Sequence, residues 1–311
     1  MSQVDLPRLI EPEALAEHVA ARHNDTLLIV DLSREEVYRN GHISGAIHVD
    51  PTALISGIRP AVGKLPSNER LIALCKHIGL TKDSWVVACD DEGGGWAGRL
   101  IWTLEVMGHY GWSYLNGGMV AWHDAGLPLT VPSPSIPSPS STLLPSANTA
   151  NAFHIDYRSE PRIEIDELLR RHAEPDVVIW DARSPAEYRG ERAAANRAGR
   201  IPGAVNLDWL ELMDAGRALR LRQDLPTLLA TRGITPDKEV ITHCQTHHRS
   251  GLSYLVARLL DFPRIRAYDG SWSEWGNRDD TPILSGPDPL TPSPLTPSPL
   301  TPSPLKKADQ S

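Results

Sequence analysis

Residues 239–252 read Glu239-Val240-Ile241-Thr242-His243, then Cys244-Gln245-Thr246-His247-His248-Arg249, then Ser250-Gly251-Leu252. The first five, rich in β-branched residues, form a short strand. Beyond them Leu252, Leu255, Val256, Leu259 and Leu260 recur at helical spacing, so Ser250-Gly251 opens a helix. Strand, tight turn and helix in that order make the unit of an α/β fold with a mainly parallel sheet. Such sheets bind ligands outside the carboxyl ends of their strands. The turn 244–249 is therefore where chemistry is expected.

Working outward, the same unit occurs twice. Trp85-Val86-Val87-Ala88-Cys89 matches 239–243, and Tyr114-Leu115-Asn116-Gly117-Gly118 matches Tyr268-Asp269-Gly270-Ser271, both at an offset of 154 residues. Gly41-His42-Ile43-Ser44-Gly45-Ala46-Ile47 matches Gly199-Arg200-Ile201-Pro202-Gly203-Ala204-Val205. Ahead of these lie Leu27-Leu28-Ile29-Val30-Asp31 and Val177-Val178-Ile179-Trp180-Asp181, apolar runs without polar alternation that read as buried strands. A period this long signals duplicated domains rather than a solenoid. Residues 131–153 are Pro/Ser-rich and then polar, which suits a linker. After Leu284 come Pro-Leu-Thr-Pro-Ser repeats that cannot build a core. The expected organisation is a domain at 1–130, a linker at 131–153, a domain at 154–284 and an extended tail at 285–311.

Of the 311 residues, 41% are hydrophobic and 23% charged, ordinary values for globular domains. The net charge of -8 speaks against a nucleic-acid partner. Residues 1–130 hold 10 Lys+Arg against 16 Asp+Glu, whereas 154–284 hold 19 against 21, and 18 of those 19 cations are Arg. An Arg-rich, nearly neutral domain aims local positive potential at a small anion. No apolar run approaches the ~20 residues that span a bilayer. Three cysteines, Cys75, Cys89 and Cys244, are too few for a disulfide framework and point to a reducing compartment. Met1-Ser2-Gln3-Val4-Asp5 lacks the features of a secretory signal, so a cytoplasmic location is expected.

A cysteine at a strand end, followed by a tight turn into a helix, is surrounded by backbone N–H groups and by the positive end of the helix. Both favour thiolate, the nucleophilic form. Arg249 adds a permanent cation, Ser250 stands at the helix start, and His247 and His248 add charge or hydrogen bonds according to pH. A persulfide anion would be stabilised in the same way. Cys75, inside an apolar helical run, reads as core. In the first repeat Asp90 falls opposite Cys244, Cys89 one position early, and Asp90-Asp91-Glu92-Gly93-Gly94-Gly95-Trp96 replaces the loop. An aspartate cannot carry sulfur, so the first domain reads as non-catalytic. His243, Cys244, His247 and His248 are metal-liking, but no second Cys/His pair stands out, and no metal is expected.

The loop, with Asp181-Ala182-Arg183 and Gly203-Ala204-Val205-Asn206 before it and Tyr268-Asp269-Gly270-Ser271-Trp272 after it, resembles bacterial tandem-domain rhodaneses (thiosulfate sulfurtransferases) of the Cys-Gln-Thr-His-His-Arg type. The resemblance covers both domains. It implies two small doubly wound, mainly parallel sheets with helices on both faces. It implies ping-pong chemistry without a cofactor: Cys244 takes sulfane sulfur from a donor such as thiosulfate, as a covalent persulfide, and passes it to cyanide or a thiol. It places Gln245, Thr246, His247, His248, Arg249 and Ser250 around the sulfur, with Trp209, Trp96 and Asp181 as candidate pocket residues. Trp96 reads equally well as cleft wall or as core. Trp209 is expected just past the strand next to the active loop.

Three alternatives stand beside this reading. One is a 3-mercaptopyruvate enzyme, whose loop resembles Cys-Gly-Ser-Gly-Val. Another is a persulfide carrier loaded by a cysteine desulfurase and unloaded by a sulfur-accepting protein. The third is a cysteine-dependent phosphatase, but its loop has five residues between Cys and Arg; here Cys244 and Arg249 enclose four, a ring that fits sulfur and is tight for phosphate. Vertebrate-type thiosulfate enzymes carry cations where Gln245 and Thr246 stand, and an Arg where Glu187 precedes Tyr188. Arg249, or Arg192 or Arg197 from 190–198, is the expected substitute.

Overall fold

The computed structural model describes residues 6–21, 26–131 and 153–287. Most of the linker and all but the first residues of the tail lie outside that range. The strands are β1 (Leu9–Ile10), β2 (Leu27–Asp31), β3 (Ile47–His48), β4 (Trp85–Cys89), β5 (Trp112–Leu115), β6 (Val177–Asp181), β7 (Val205–Asn206), β8 (Met213–Asp214), β9 (Arg220–Leu221), β10 (Glu239–His243) and β11 (Ile265–Ala267). The helices of the first repeat are α1 (Pro12–Ala21), α2 (Glu35–Asn40), α3 (Asn68–Ile78), α4 (Gly95–Val106) and α5 (Gly118–Asp124). Those of the second are α6 (Ile165–Arg171), α7 (Pro185–Arg189), α8 (Leu225–Thr231), α9 (Arg249–Leu259) and α10 (Ser271–Trp275).

β1-β5-β4-β2-β3 form one parallel sheet and β11-β10-β6-β7 another; β8 and β9 pair as a separate antiparallel hairpin. Successive strand residues point to opposite faces, and both faces are buried. In β4, Val86 and Ala88 enter one core while Val87 and Cys89 enter another; in β10, Val240 and Ile241 divide likewise. This is why the strands read as unbroken apolar runs. The outer face of the first sheet is covered by α1 and α5, through Leu15, Met119 and Trp122. The outer face of the second is covered by α6, α7 and α10, through Leu168, Tyr188 and Trp272. The inner faces of both sheets share one core, filled from α3, α4, α8 and α9.

α4 and α9 cross at the centre of that core. A Cβ on Gly98 would lie 2.3 Å from the Gly251 carbonyl oxygen, and one on Gly251 would lie 2.6 Å from the Arg99 nitrogen. The backbones touch because neither residue has a side chain. Every residue of α4 except Trp96 is buried, so its polar groups need partners. Glu105 has them: it accepts from Trp112 Nε1 (3.0 Å), the Tyr254 hydroxyl (2.5 Å) and Arg258 Nε (3.1 Å), the last two on α9.

Each repeat also reaches onto the other. The β8–β9 hairpin lies on the first domain, where Leu221 donates to the Asn116 side chain at 2.8 Å and Arg220 pairs with Glu11 at 3.1 Å. In return Gly63 packs against the Thr246 backbone and Leu65 donates to Asp269 at 3.0 Å. Among the described residues no helix is long and apolar enough to cross a membrane.

Two local expectations change. The helix after the loop starts at Arg249 rather than at Ser250. β7 pairs with β6 at the sheet edge, not with β10; it is one strand removed from the active loop, because β10 already has β6 and β11 beside it.

Gly251→Ala should lower the denaturant midpoint by an amount corresponding to about 1–3 kcal/mol, the usual cost of overpacking. Chemical denaturation followed by tryptophan fluorescence would measure it.

Candidate active site

β10 is an interior strand of its sheet, so its carboxyl end opens onto the crevice formed by the loops of its neighbours. Cys244 is the first residue beyond it. The chain then curls through His247, whose φ of 54° lies in the left-handed region. That is uncommon for a residue with a side chain; here His247 is buried and its Nδ1 sits 2.8 Å from Ser250 Oγ. The curl turns the Thr246 and Ser250 N–H groups toward the Cys244 sulfur. The loop is tied to the α10 turn: Cys244 N–H donates to Ser271 Oγ (3.3 Å), and the Trp272 and Ser273 N–H groups donate to the Cys244 and Gln245 carbonyls (2.9 and 3.0 Å). The Gln245 side chain donates to the Ala194 carbonyl at 3.0 Å.

Burial alone pushes the Cys244 thiol up, but the Arg249 charge, the Ser250 hydroxyl and the Ser250 and Thr246 N–H groups outweigh it, and the thiol lies below its ordinary value. The other two cysteines go the opposite way. Burial in α3 takes Cys75 up to about 11. Burial, with Asp31 and Asp90 beside it, drives Cys89 well above the thiol range.

The first domain builds the same cradle and fills it itself. Asp90 Oδ1 accepts from the N–H groups of Glu92 (3.1 Å), Gly93 (3.0 Å) and Gly94 (2.8 Å), and Oδ2 from Ala97 (2.9 Å). Burial and Glu92 nevertheless raise its carboxyl to about 6. The acidic run around it is largely engaged: Asp91 pairs with Arg34 at 2.7 Å, and Glu92 hydrogen-bonds His248 across the domain boundary.

Arg249 forms two bonds with Glu187, Nη1 to Oε2 at 2.7 Å and Nη2 to Oε1 at 2.9 Å. Burial pushes Glu187 up, yet these bonds, together with Ser184, bring it down to about 2. The residue that departs from the vertebrate pattern is thus the anchor of the loop arginine. His248 is stacked on Trp96 of the first domain (centroids 4.2 Å apart) and has Trp209 on another side (5.6 Å). Both candidate tryptophans are therefore beside the loop, Trp96 as an interdomain wall.

Asp181 is not at an open surface. It is fully buried and chelated by Arg183, with Nη2 to Oδ2 at 2.6 Å and Nε to Oδ1 at 2.9 Å. Arg197 is spent on the carbonyls of Trp275, Arg278 and Thr281, so it braces the chain after α10. Arg192 is exposed. Among the described residues no three His, Cys, Asp or Glu side chains gather to hold a metal ion. Glu92, Glu187 and Ser271 were not singled out as site residues. Ser271 lies within a repeated segment and Glu187 stands where the vertebrate pattern has an Arg, but nothing local marks the partner of either glutamate, 156 and 62 residues away.

Two outcomes follow from the Arg249–Glu187 pair. Arg249→Ala should raise the Cys244 thiol pKa by about one to two units, read from the pH profile of alkylation. Glu187 sits at about 2 when folded against an ordinary 4.5, so its contribution to stability is complete above pH 4.5 and is lost as pH falls toward 2. Glu187→Gln should flatten that acid limb in denaturant midpoints measured across the window.

The rhodanese-like domain family matches residues 12–125 and 164–278. The chain is 47% identical over 278 residues to a thiosulfate sulfurtransferase of Azotobacter vinelandii, covering 89% of this chain and 97% of that protein. It is 46% identical over 279 residues to one of Pseudomonas aeruginosa, covering 90% and 97%. Among solved structures it is similar to an EanB variant bearing a cysteine persulfide, captured with ergothioneine, with a TM-score of 0.76 and 26% identity over 90% of this chain and 71% of that one. Two cradles of one design, two matches to one family, and relatives aligned over most of the chain place it in the rhodanese family, with the rhodanese-like domain present twice.

Proposed function

We propose that this chain is a thiosulfate sulfurtransferase that carries the transferred sulfur as a persulfide on Cys244. The observation that carries the reading is the contrast among its three thiols. Cys244 alone is held below the ordinary range, by a cation and N–H donors, while burial raises the other two.

The Cys244 thiolate attacks the outer sulfur of thiosulfate. A sulfur–sulfur bond forms, the bond to the oxidised sulfur breaks, and sulfite leaves with the electron pair. The same cradle then receives a persulfide anion, whose charge sits one atom further out. A nucleophilic acceptor, cyanide or a thiolate, attacks that outer sulfur; thiocyanate or a new persulfide departs and the Cys244 thiolate returns. Preorganised donors lose no reorganisation energy in either half-reaction, which is the usual source of electrostatic catalysis. Four residues between Cys244 and Arg249 suit one sulfur atom better than a tetrahedral phosphate, and the names of the relatives favour thiosulfate over mercaptopyruvate as donor. A thiol of this kind works in a reducing compartment such as the cytoplasm.

Incubation with thiosulfate should add the mass of one sulfur atom to the peptide containing Cys244. Parallel incubations with mercaptopyruvate, and with a cysteine desulfurase plus cysteine, rank the donors. Cys244→Ala should abolish thiocyanate formation and Cys89→Ala should leave most of it. Substantial turnover in Cys244→Ala would overturn the mechanism.

A further inference from the structure

The cations around the Cys244 loop are nearly all paired. Arg249 is bonded to Glu187, Arg183 to Asp181, Arg258 to Glu105, and Arg162 to Glu164 (2.7 Å) and Asp269 (3.3 Å). Arg99 has no ion-pair partner among the described residues; Arg197 has none either, but its guanidinium is spent on the carbonyls of Trp275, Arg278 and Thr281. Arg99 lies on α4 of the first domain and is fully buried. Its Nη2 donates to the Leu54 carbonyl at 2.7 Å, whereas Nε and Nη1 meet no acceptor among the described residues, and no carboxylate stands within ion-pair distance. A buried cation with two unmet donors is costly. Glu105, one helical turn and a half further along α4, shows that this interface is capable of satisfying a charge when it must.

The location of Arg99 accounts for that cost. Its backbone nitrogen is packed on Gly251, in the first turn of α9, at the point where the two helices touch. Its guanidinium lies over the Trp102 ring at 4.6 Å, and Trp102 meets His247 edge-on at 4.5 Å. His247 holds Ser250 Oγ, which in turn supports the Cys244 sulfur. The guanidinium is thus behind the loop and fully buried.

A paired cation acts at a distance as a dipole, whose potential falls quickly. An unpaired one acts as a full charge, and low surrounding polarity leaves it poorly screened. Arg249 supplies the largest charge at the thiol even though Glu187 pairs it; the remaining titratable groups facing the thiol supply no free charge. Burial holds His243 down, and burial together with Arg99 holds His247 well down, so both rings are neutral. Asp181 and Arg183 cancel, and Asp269 is shared by Arg162 and the Leu65 N–H.

We propose that Arg99 is a positioning residue contributed by the non-catalytic first domain: its unpaired buried charge acts across the Gly98–Gly251 crossing to hold the Cys244 sulfur as an anion, first as thiolate and then as persulfide. The proposal rests on Cys244 being the sulfur carrier. It gives the first domain a part in the chemistry without a group that touches the substrate. Consistent with it, burial takes Arg99 itself down to about 10, while Asp269 and the Cys244 charge draw it back up.

Because Cys244 is buried, its ionisation is best followed by thiolate ultraviolet absorbance, taken as the difference from the same protein carrying Cys244→Ser. In Arg99→Met and in Arg99→Gln the midpoint should rise by about one pH unit, leaving about tenfold less thiolate on the acidic limb. Arg99→Lys should stay near the wild-type midpoint, and the melting temperature of Arg99→Met should be unchanged or higher. Either neutral variant, if only one folds, decides the matter. An unchanged midpoint without the charge would overturn the proposal. So would an equal rise in Arg99→Lys accompanied by a lower melting temperature, which marks a packing role. Mass spectrometry after thiosulfate treatment keeps the two readings apart: wild-type protein that takes no sulfur on Cys244 refutes the carrier assignment, whatever Arg99 does to the midpoint.

Discussion

The architecture depends on the contact between α4 and α9, where Gly98 and Gly251 bring two backbones together with no side chain between them. That approach places the first turn of α9, and so the Cys244 loop, against the first domain. It also creates the shared core, in which α4 is enclosed almost completely. Enclosure then dictates which polar residues α4 is able to carry. Glu105 is matched by three donors, two of them from α9, and so ties the repeats together through charge as well as through apolar area.

The duplicated cradle shows what the loop geometry does independently of the residue at its centre. In both repeats a strand end, a left-handed turn and a helix start aim N–H groups at one point. The first domain fills that point with the Asp90 carboxyl, which accepts from four N–H groups. The second leaves there a thiol. The carboxyl of Asp90 is nevertheless raised by burial and by Glu92. At Cys244 no carboxylate stands in the place of Glu92, and the Arg249 charge adds to the N–H donors.

Interdomain packing closes the rim around that thiol. Trp96 and Glu92 of the first domain meet His248, and Gly63 abuts Thr246. The hairpin at 213–221 returns the arrangement by covering the first domain's loops. Each loop is thereby held by the opposite repeat.

The strands were legible residue by residue. Leu27–Asp31, Trp85–Cys89, Val177–Asp181 and Glu239–His243 are apolar or β-branched runs because both faces of each sheet are buried, and burial on both faces leaves its mark on consecutive residues. The duplication, the helix after Cys244 and the loop itself are likewise local patterns. What the sequence by itself determined is therefore the repeated strand–loop–helix unit and the cysteine within it. Tertiary structure alone decided that Glu187 holds Arg249, that β7 lies beyond β6, that Asp181 is sealed against Arg183, and that Arg99 stands unpaired behind the loop. The physical reason is range. Propensity and periodicity act over a few neighbouring residues, whereas the partner of a charge is whatever side chain the folded sheets and crossing helices bring within a few ångströms of it.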